Sequence, residues 1–299
     1  MNTLYLTTAI GTPLTDDEQL HEDGLRIHLA DQWEAGITGV LVAGTMGMMQ
    51  LLRDETYRHL VEAAVSLSTS RGEIFVGAGD TGLARTRDRI QFLNSFQLDG
   101  VVVLAPFFMS FSQADLIDYY RSLADVSRAP LYLYDLPSVT GTKLTIDTVL
   151  ELAEHSHIGG IKASGEPGET RQLMDLAPDG FRVILAAPDL MDVFIRSGIG
   201  DHLDGIYSVA PQWVVALARC AEDGKWDEAT RYQQDVSHLR RLVIKHGVLP
   251  MFSAMMNARG IPGRFAPKPF RALGPAEYQI LQDDSIVQKL IREHPVVAS

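Results

Sequence analysis

The 299-residue chain has a single cysteine, Cys220, so no internal disulfide can form. That cysteine lies in an apolar helical run and is expected to serve packing. No apolar run approaches the roughly 18 residues of a membrane-spanning helix. The N-terminal stretch lacks a charged start followed by an apolar core. No secretory signal is therefore expected, and a cytoplasmic location fits. Basic residues are scarce: 26 Lys and Arg stand against 38 Asp and Glu, for a net charge of −12. They form no dense cluster, which argues against nucleic acid and anionic membrane as partners. There is no H-E-x-x-H and no paired C-x-x-C. His155 and His157 have no carboxylate or cysteine at a ligand spacing, so no metal is expected.

What is present is an ordinary globular composition, 46% apolar and 21% charged. Short apolar runs alternate with longer helical patterns. The runs are Leu4–Thr8, Gly39–Ala43, Ile74–Gly77, Gly100–Leu104, Leu131–Tyr134, Ile158–Lys162, Val183–Leu185 and Gly205–Ser208. Strands this short and apolar are expected to be buried on both faces, as in a parallel sheet under helices. Eight strand–helix units match a (β/α)8 barrel of about 250 residues, with a doubly wound open sheet as the runner-up. Beyond the barrel, expected over residues 1–224, residues 225–299 read as a helical extension packed on it. Its helices are expected at Trp226–Lys245, Val248–Ala258 and Pro275–Arg292.

Of the six lysines, only Lys162 closes a strand-like run bare of other charge, in Ile158-Gly159-Gly160-Ile161-Lys162. A lysine there loses solvation, which disfavours its ammonium form. A neutral amine attacks carbonyl carbon. The bland alternative is a lysine snorkelling out of a core strand. In a barrel, chemistry sits where strands end. Those ends carry Gly44-Thr45-Met46-Gly47, Pro106-Phe107-Phe108, Tyr134-Asp135-Leu136-Pro137, Lys162 and Tyr207-Ser208. One amine, one phenol on the preceding strand and a few hydroxyls suit Schiff-base chemistry, which needs a proton shuttle and no cofactor. Gly77-Ala78-Gly79-Asp80-Thr81-Gly82 spells G-x-G-x-x-G. It follows the third strand, and no acid for a ribose ends the next one, so it reads as a tight barrel turn rather than a dinucleotide site. Asp16, Asp17, Glu18, Glu166 and Glu169 look like loop and helix-start charges.

With these loops laid out, the chain resembles the dihydrodipicolinate synthase / N-acetylneuraminate lyase family of pyruvate-dependent class I aldolases. The likeness rests on Thr12-Pro13, Gly44-Thr45-x-Gly47, Tyr134-x-x-Pro137 with Thr140-Gly141, Gly160-Ile161-Lys162, and Gly260-Ile261-Pro262-Gly263. It implies that Lys162 forms the imine with a 2-oxo acid and that Tyr134 relays protons. It implies that Thr45 orients Tyr134 and that Gly44, Met46 and Gly47 hold the substrate carboxylate at backbone N–H groups. No cofactor is implied beyond the covalent imine, and a homodimer or homotetramer is expected.

Departures from the family bear on the substrate. The carboxylate loop usually reads Gly-Thr-Thr/Ser-Gly-Glu; here Met46 replaces the second hydroxyl. The synthases carry an arginine where Val139 stands, and a relay tyrosine, donated across the dimer, where Phe107 and Phe108 stand. A more apolar second-substrate side, lined by Val139, Phe108, Met46 and Tyr207, is expected. It favours a lyase cleaving a 2-oxo acid, such as a 2-keto-3-deoxy sugar acid, to pyruvate and an aldehyde. Dehydration of such an acid, dihydrodipicolinate synthesis, and a non-catalytic binder of small acids are the alternatives.

Overall fold

The structure, a computed structural model, describes residues 4–296. Eight parallel strands run in sequence order as a closed barrel. The elements are β1 (Tyr5–Ala9), α1 (Glu22–Ala35), β2 (Gly39–Val42), α2 (Asp54–Ser68), β3 (Glu73–Gly77), α3 (Leu83–Leu93), β4 (Gly100–Leu104), α4 (Gln113–Ala124) and β5 (Leu131–Asp135). Then come α5 (Pro137–Thr140), α6 (Ile146–Ala153), β6 (Ile158–Ala163), α7 (Pro167–Leu176), β7 (Arg182–Leu185), α8 (Met191–Arg196) and β8 (Asp201–Asp204). A 3-10 turn at Ile206–Ser208 precedes α9 (Pro211–Glu222), α10 (Trp226–His246), α11 (Val248–Ala258), α12 (Pro275–Asp283) and α13 (Ser285–Glu293). This is the (β/α)8 barrel with C-terminal helices that the alternation predicts. Among the described residues no helix is long and apolar enough to cross a membrane.

The strands form where the runs of Val, Leu and Ile predict, because both faces are covered: every residue of β2, β4 and β5 is buried. Helix starts follow local chemistry. Ser112 and Asp115 close a capping box at α4, and Thr145 caps α6 by accepting from Thr148 N–H.

The chain divides into two compact units. One comprises Met1–Gly72, Pro188–Gly200 and Asp204–Ser299. Its core gathers Trp213, Tyr207, Phe252, Phe265 and Leu239, with α10 packed along α8 and α9. The other comprises Glu73–Ala187 and Asp201–Leu203. Val101, Val103, Leu131, Leu133 and Ile161 are fully buried there. At its strand starts Arg182 donates to Asp201 Oδ2 at 2.8 Å and to both oxygens of Glu73 at 2.7 and 3.2 Å. Such a charged plug at the N-terminal end of the strands belongs to stability rather than chemistry.

Three expectations need correction. The eighth strand is Asp201–Asp204, not Gly205–Ser208. Two carboxylates disguise it: Asp201 is neutralised by Arg182, while His202 and Leu203 are buried. The apolar Gly205–Ser208 segment coils instead, because Asp204 accepts from Ile206 N–H at 2.9 Å and Ser208 Oγ donates to Gly205 O at 2.7 Å. The last helix is two, since Asp284 leaves the helical conformation and caps Ile286 N–H at 2.9 Å. Finally, a short helix, α5, starts on Pro137 where a loop was expected.

Candidate active site

Strands β5 and β6 pair with Tyr134 opposite Lys162 and Asp135 opposite Ala163. Strand alternation sends the first pair to one face of the sheet and the second to the other. Tyr134 and Lys162 are both buried, and Lys162 Nζ donates to Tyr134 Oη at 2.8 Å. The glycines ahead of the lysine make the pairing feasible. A Cβ at Gly160 would lie 2.3 Å from the Arg182 carbonyl oxygen and 2.8 Å from the Tyr132 ring. Only glycine lets β6 close onto β7 there. An amine held at a phenol near a strand end can act as nucleophile and proton-shuttle pair.

The other unit holds the Gly44–Gly47 loop. Thr12 Oγ1 donates to the Gly47 carbonyl at 2.7 Å, and Met48 N–H donates to Thr45 O at 3.2 Å. Ala43 and Met48, at φ of +50° and +57°, flank it in the left-handed region. For side-chain-bearing residues that conformation costs on the order of 1 kcal/mol each. Such strain persists only where the surroundings impose it, and it gathers at functional loops. Gly44 and Gly47 are buried, and Thr45 and Met46 half-buried.

Met46 lies over Gly205, its Cε 2.7 Å from where a Cβ would stand. It packs against the apolar core. Tyr207 sits in the 3-10 turn rather than on a strand. It is fully buried, and its hydroxyl meets no hydrogen-bond partner among the described residues. Burial, with Asp204 and Asp189 nearby, raises its pKa well above the usual phenol range. Phe108 is 91% exposed at a φ of +82°, and Val139 is 56% exposed. Within a single chain neither belongs to an enclosed wall.

Residues 3–286 match the Dihydrodipicolinate synthetase family. The chain belongs to that family. A 4-hydroxy-tetrahydrodipicolinate synthase from Exiguobacterium sp. is 31% identical over 229 residues, 76% of this chain and 78% of its own. An N-acetylneuraminate lyase from Rhizobium meliloti is 29% identical over 282 residues, 92% of each chain. Among solved structures, a prophage protein of E. coli K12 belonging to the dihydrodipicolinic acid synthase family, in complex with pyruvate, matches with a TM-score of 0.87. Its identity is 22%, covering 99% of this chain and 100% of that one. Family membership makes this protein an enzyme, a lyase of the class I aldolase kind.

In this dihydrodipicolinate synthetase family member an acid, Asp135, follows Tyr134. In the sequence Lys143 follows the Thr140-Gly141 turn with nothing local to mark it. The structure places its ammonium against the buried Asp135 carboxylate. A signal was present: an acid one residue past an inward-facing strand tyrosine must face the helices, where it needs a counter-charge.

The G-x-G-x-x-G segment is held by two arginines of the helix that follows it, α3. Asp80 pairs with Arg85 at 2.9 Å and with Arg89 at 3.0 Å, and Arg89 also reaches Gly79 O at 3.0 Å. His155 and His157 also have structural partners, Asp125 at 3.2 Å and the Ser127 carbonyl at 3.4 Å.

Proposed function

We propose that this family member is a Schiff-base-forming aldolase that cleaves or forms the carbon–carbon bond next to the imine of a 2-oxo acid. A 2-keto-3-deoxy sugar acid, giving pyruvate and an aldehyde, is the substrate class favoured. The observation that carries the reading is the 2.8 Å contact between Lys162 Nζ and Tyr134 Oη on adjacent strand ends. The Lys162 amine attacks the keto carbon, and one amine proton passes through Tyr134 to the oxygen. The resulting hydroxyl leaves as water with a second proton from Tyr134, which leaves the imine protonated. Tyr134 then regains a proton from the hydroxyl on the far carbon of the breaking bond, which becomes the aldehyde, while the bond's electrons neutralise the imine as an enamine. Tyr134 gives that proton to the enamine carbon, and hydrolysis releases pyruvate and the free amine. Backbone N–H groups of Gly44–Gly47 would hold the carboxylate, with Thr45 orienting Tyr134. No resident cofactor is required.

Borohydride reduction in the presence of pyruvate, followed by peptide mass spectrometry, tests this. An adduct is expected on Lys162 and none in Lys162→Ala. Absence of an adduct in the wild type would sink the imine mechanism.

A second reading, synthesis of the dihydrodipicolinate precursor from pyruvate and aspartate semialdehyde, is favoured by the Exiguobacterium relative's name. Against it stand Val139 and Phe108 at positions where the synthases carry an arginine and a tyrosine. Robust condensation with aspartate semialdehyde would decide for the synthase. Elimination of water from the same imine would instead leave a 2-oxo acid with its carbon chain intact. A cytoplasmic homodimer or homotetramer completes the proposal. It is supported by the exposure of Phe108 and Met109, at 91% and 64%, on one loop, and sedimentation tests it.

A further inference from the structure

Asp135 and Lys143 stand directly behind the two residues assigned to the chemistry. Asp135 follows Tyr134 in β5 and faces the opposite side of the sheet. Its register partner, Ala163, follows Lys162 in β6. The Asp135 carboxylate is 2% exposed and fully used: Oδ2 takes the Lys143 ammonium, and Oδ1 accepts from Leu144 N–H at 3.1 Å. Its backbone carbonyl accepts from Ser164 N–H at 3.1 Å, in the loop that leaves the lysine strand.

Lys143 also lies 3.4 Å from Glu169 in α7, the helix that loop leads into. Gly165 completes the fit. A Cβ there would stand 3.2 Å from Lys143 Nζ and 3.4 Å from Asp135 Oδ2, so the loop closes against the ion pair itself. The far side is held too, since Gln113 of α4 donates to the Lys143 carbonyl at 2.9 Å. With Asp135 buried and Lys143 half-exposed, the pair adds little net stability, because desolvation of the acid and solvent screening of the ammonium offset its attraction. What it does supply is a fixed geometry.

We propose that Asp135 and Lys143 are positioning residues. Their ion pair, extended to Glu169, locks the end of β5 to the loop after β6 and so sets the distance between the Tyr134 hydroxyl and the Lys162 amine. The proposal deepens the imine-forming reading and rests on it. Misplacement of reacting groups by about 1 Å can cost on the order of 100-fold in rate, so a loosened clamp should be visible in kinetics before it is visible in folding.

The test uses the full-length protein and three variants. Lys143→Met keeps the stem and removes the charge, Lys143→Arg keeps the pair, and Asp135→Asn keeps the Leu144 contact while losing the pair. Two quantities are read: the rate of pyruvate trapping on Lys162 by borohydride, and the 13Cζ resonance of Tyr134 in ligand-free enzyme, assigned with Tyr134→Phe. Lys143→Met is expected to slow trapping by about 10-fold or more at saturating pyruvate, with half-saturation unchanged, and to shift the Tyr134 resonance. Lys143→Arg should restore both. Asp135→Asn should resemble Lys143→Met, and it decides the matter if Lys143→Met does not fold.

Wild-type trapping and an unmoved Tyr134 resonance in both charge-removing variants would overturn the proposal. So would a lowered melting temperature with the resonance and trapping rate intact. If the wild type itself traps no pyruvate, the functional reading fails, and the Tyr134 resonance still judges the clamp.

Discussion

Lys162 lies over the face of Tyr134 as well as at its hydroxyl, with Nζ 4.0 Å from the ring centroid and 2.8 Å from the oxygen. In the proposed mechanism the residue has two separable roles: its ring covers the amine and its hydroxyl carries protons. Tyr134→Phe keeps the first and removes the second. It is expected to lower turnover by roughly 100-fold or more while leaving the melting temperature close to that of the wild type. Steady-state kinetics with thermal unfolding check this. Unchanged turnover would remove Tyr134 from the mechanism.

Gly160 is held by close backbone approach. Gly160→Ala must push against the Arg182 carbonyl 2.3 Å away, and overpacking of this kind costs about 1–3 kcal/mol. Denaturant unfolding should show that loss. Borohydride trapping should fall with it, because the displaced strand carries Lys162.

Arg182 neutralises two carboxylates at once, and burial already raises the pKa of Asp201. Arg182→Met leaves Glu73 and Asp201 without that partner, at a cost of about 3 kcal/mol or more at neutral pH. Without Arg182, burial alone acts on the Asp201 carboxyl and holds it above its unfolded pKa. Its protonated form is then favoured by folding, so stability should recover as pH is lowered towards 5. Urea midpoints at the two pH values test this, and a variant as stable as the wild type at pH 7 would contradict it.

His28 is fully buried in α1, and neither ring nitrogen has a hydrogen-bond partner among the described residues. Burial, helped by Arg259 and opposed by Asp31, lowers its pKa from 6.5 to about 4. The unfolded chain therefore binds a proton that the folded chain refuses between those values. Stability from this residue is complete above pH 6.5 and is lost as pH falls towards 4, by about 1.4 kcal/mol per pH unit. His28→Phe should unfold with a shallower pH dependence across that window. Equal slopes for the two proteins would refute the assignment.

The barrel was legible because parallel strands buried on both faces must be short and apolar, and seven of the eight announced themselves that way. The eighth did not. Asp201 and Asp204 give it the look of a loop, and the pairing of Asp201 with Arg182 on the neighbouring strand is not visible in the local pattern. Tyr207 was misplaced for the same reason, since its apolar neighbours suggest a strand while the Asp204 carboxylate winds them into a turn. Phe108 and Val139 read as pocket lining from their positions after strands; both side chains are largely exposed, Phe108 on a loop at a φ of +82° and Val139 in α5, and hydrophobic pattern does not encode either direction.

The sequence by itself determined the alternation of elements, a lysine near the end of the sixth strand and a tyrosine near the end of the fifth. These follow from local polarity and spacing, which each segment carries alone. Tertiary structure decided that amine and phenol meet within hydrogen-bond distance, and that Asp135 and Lys143 pair behind them. Register between strands is set by residues distant in the chain, and the turn that brings Lys143 back to Asp135, eight residues earlier, takes its shape only when the loop packs behind the strands.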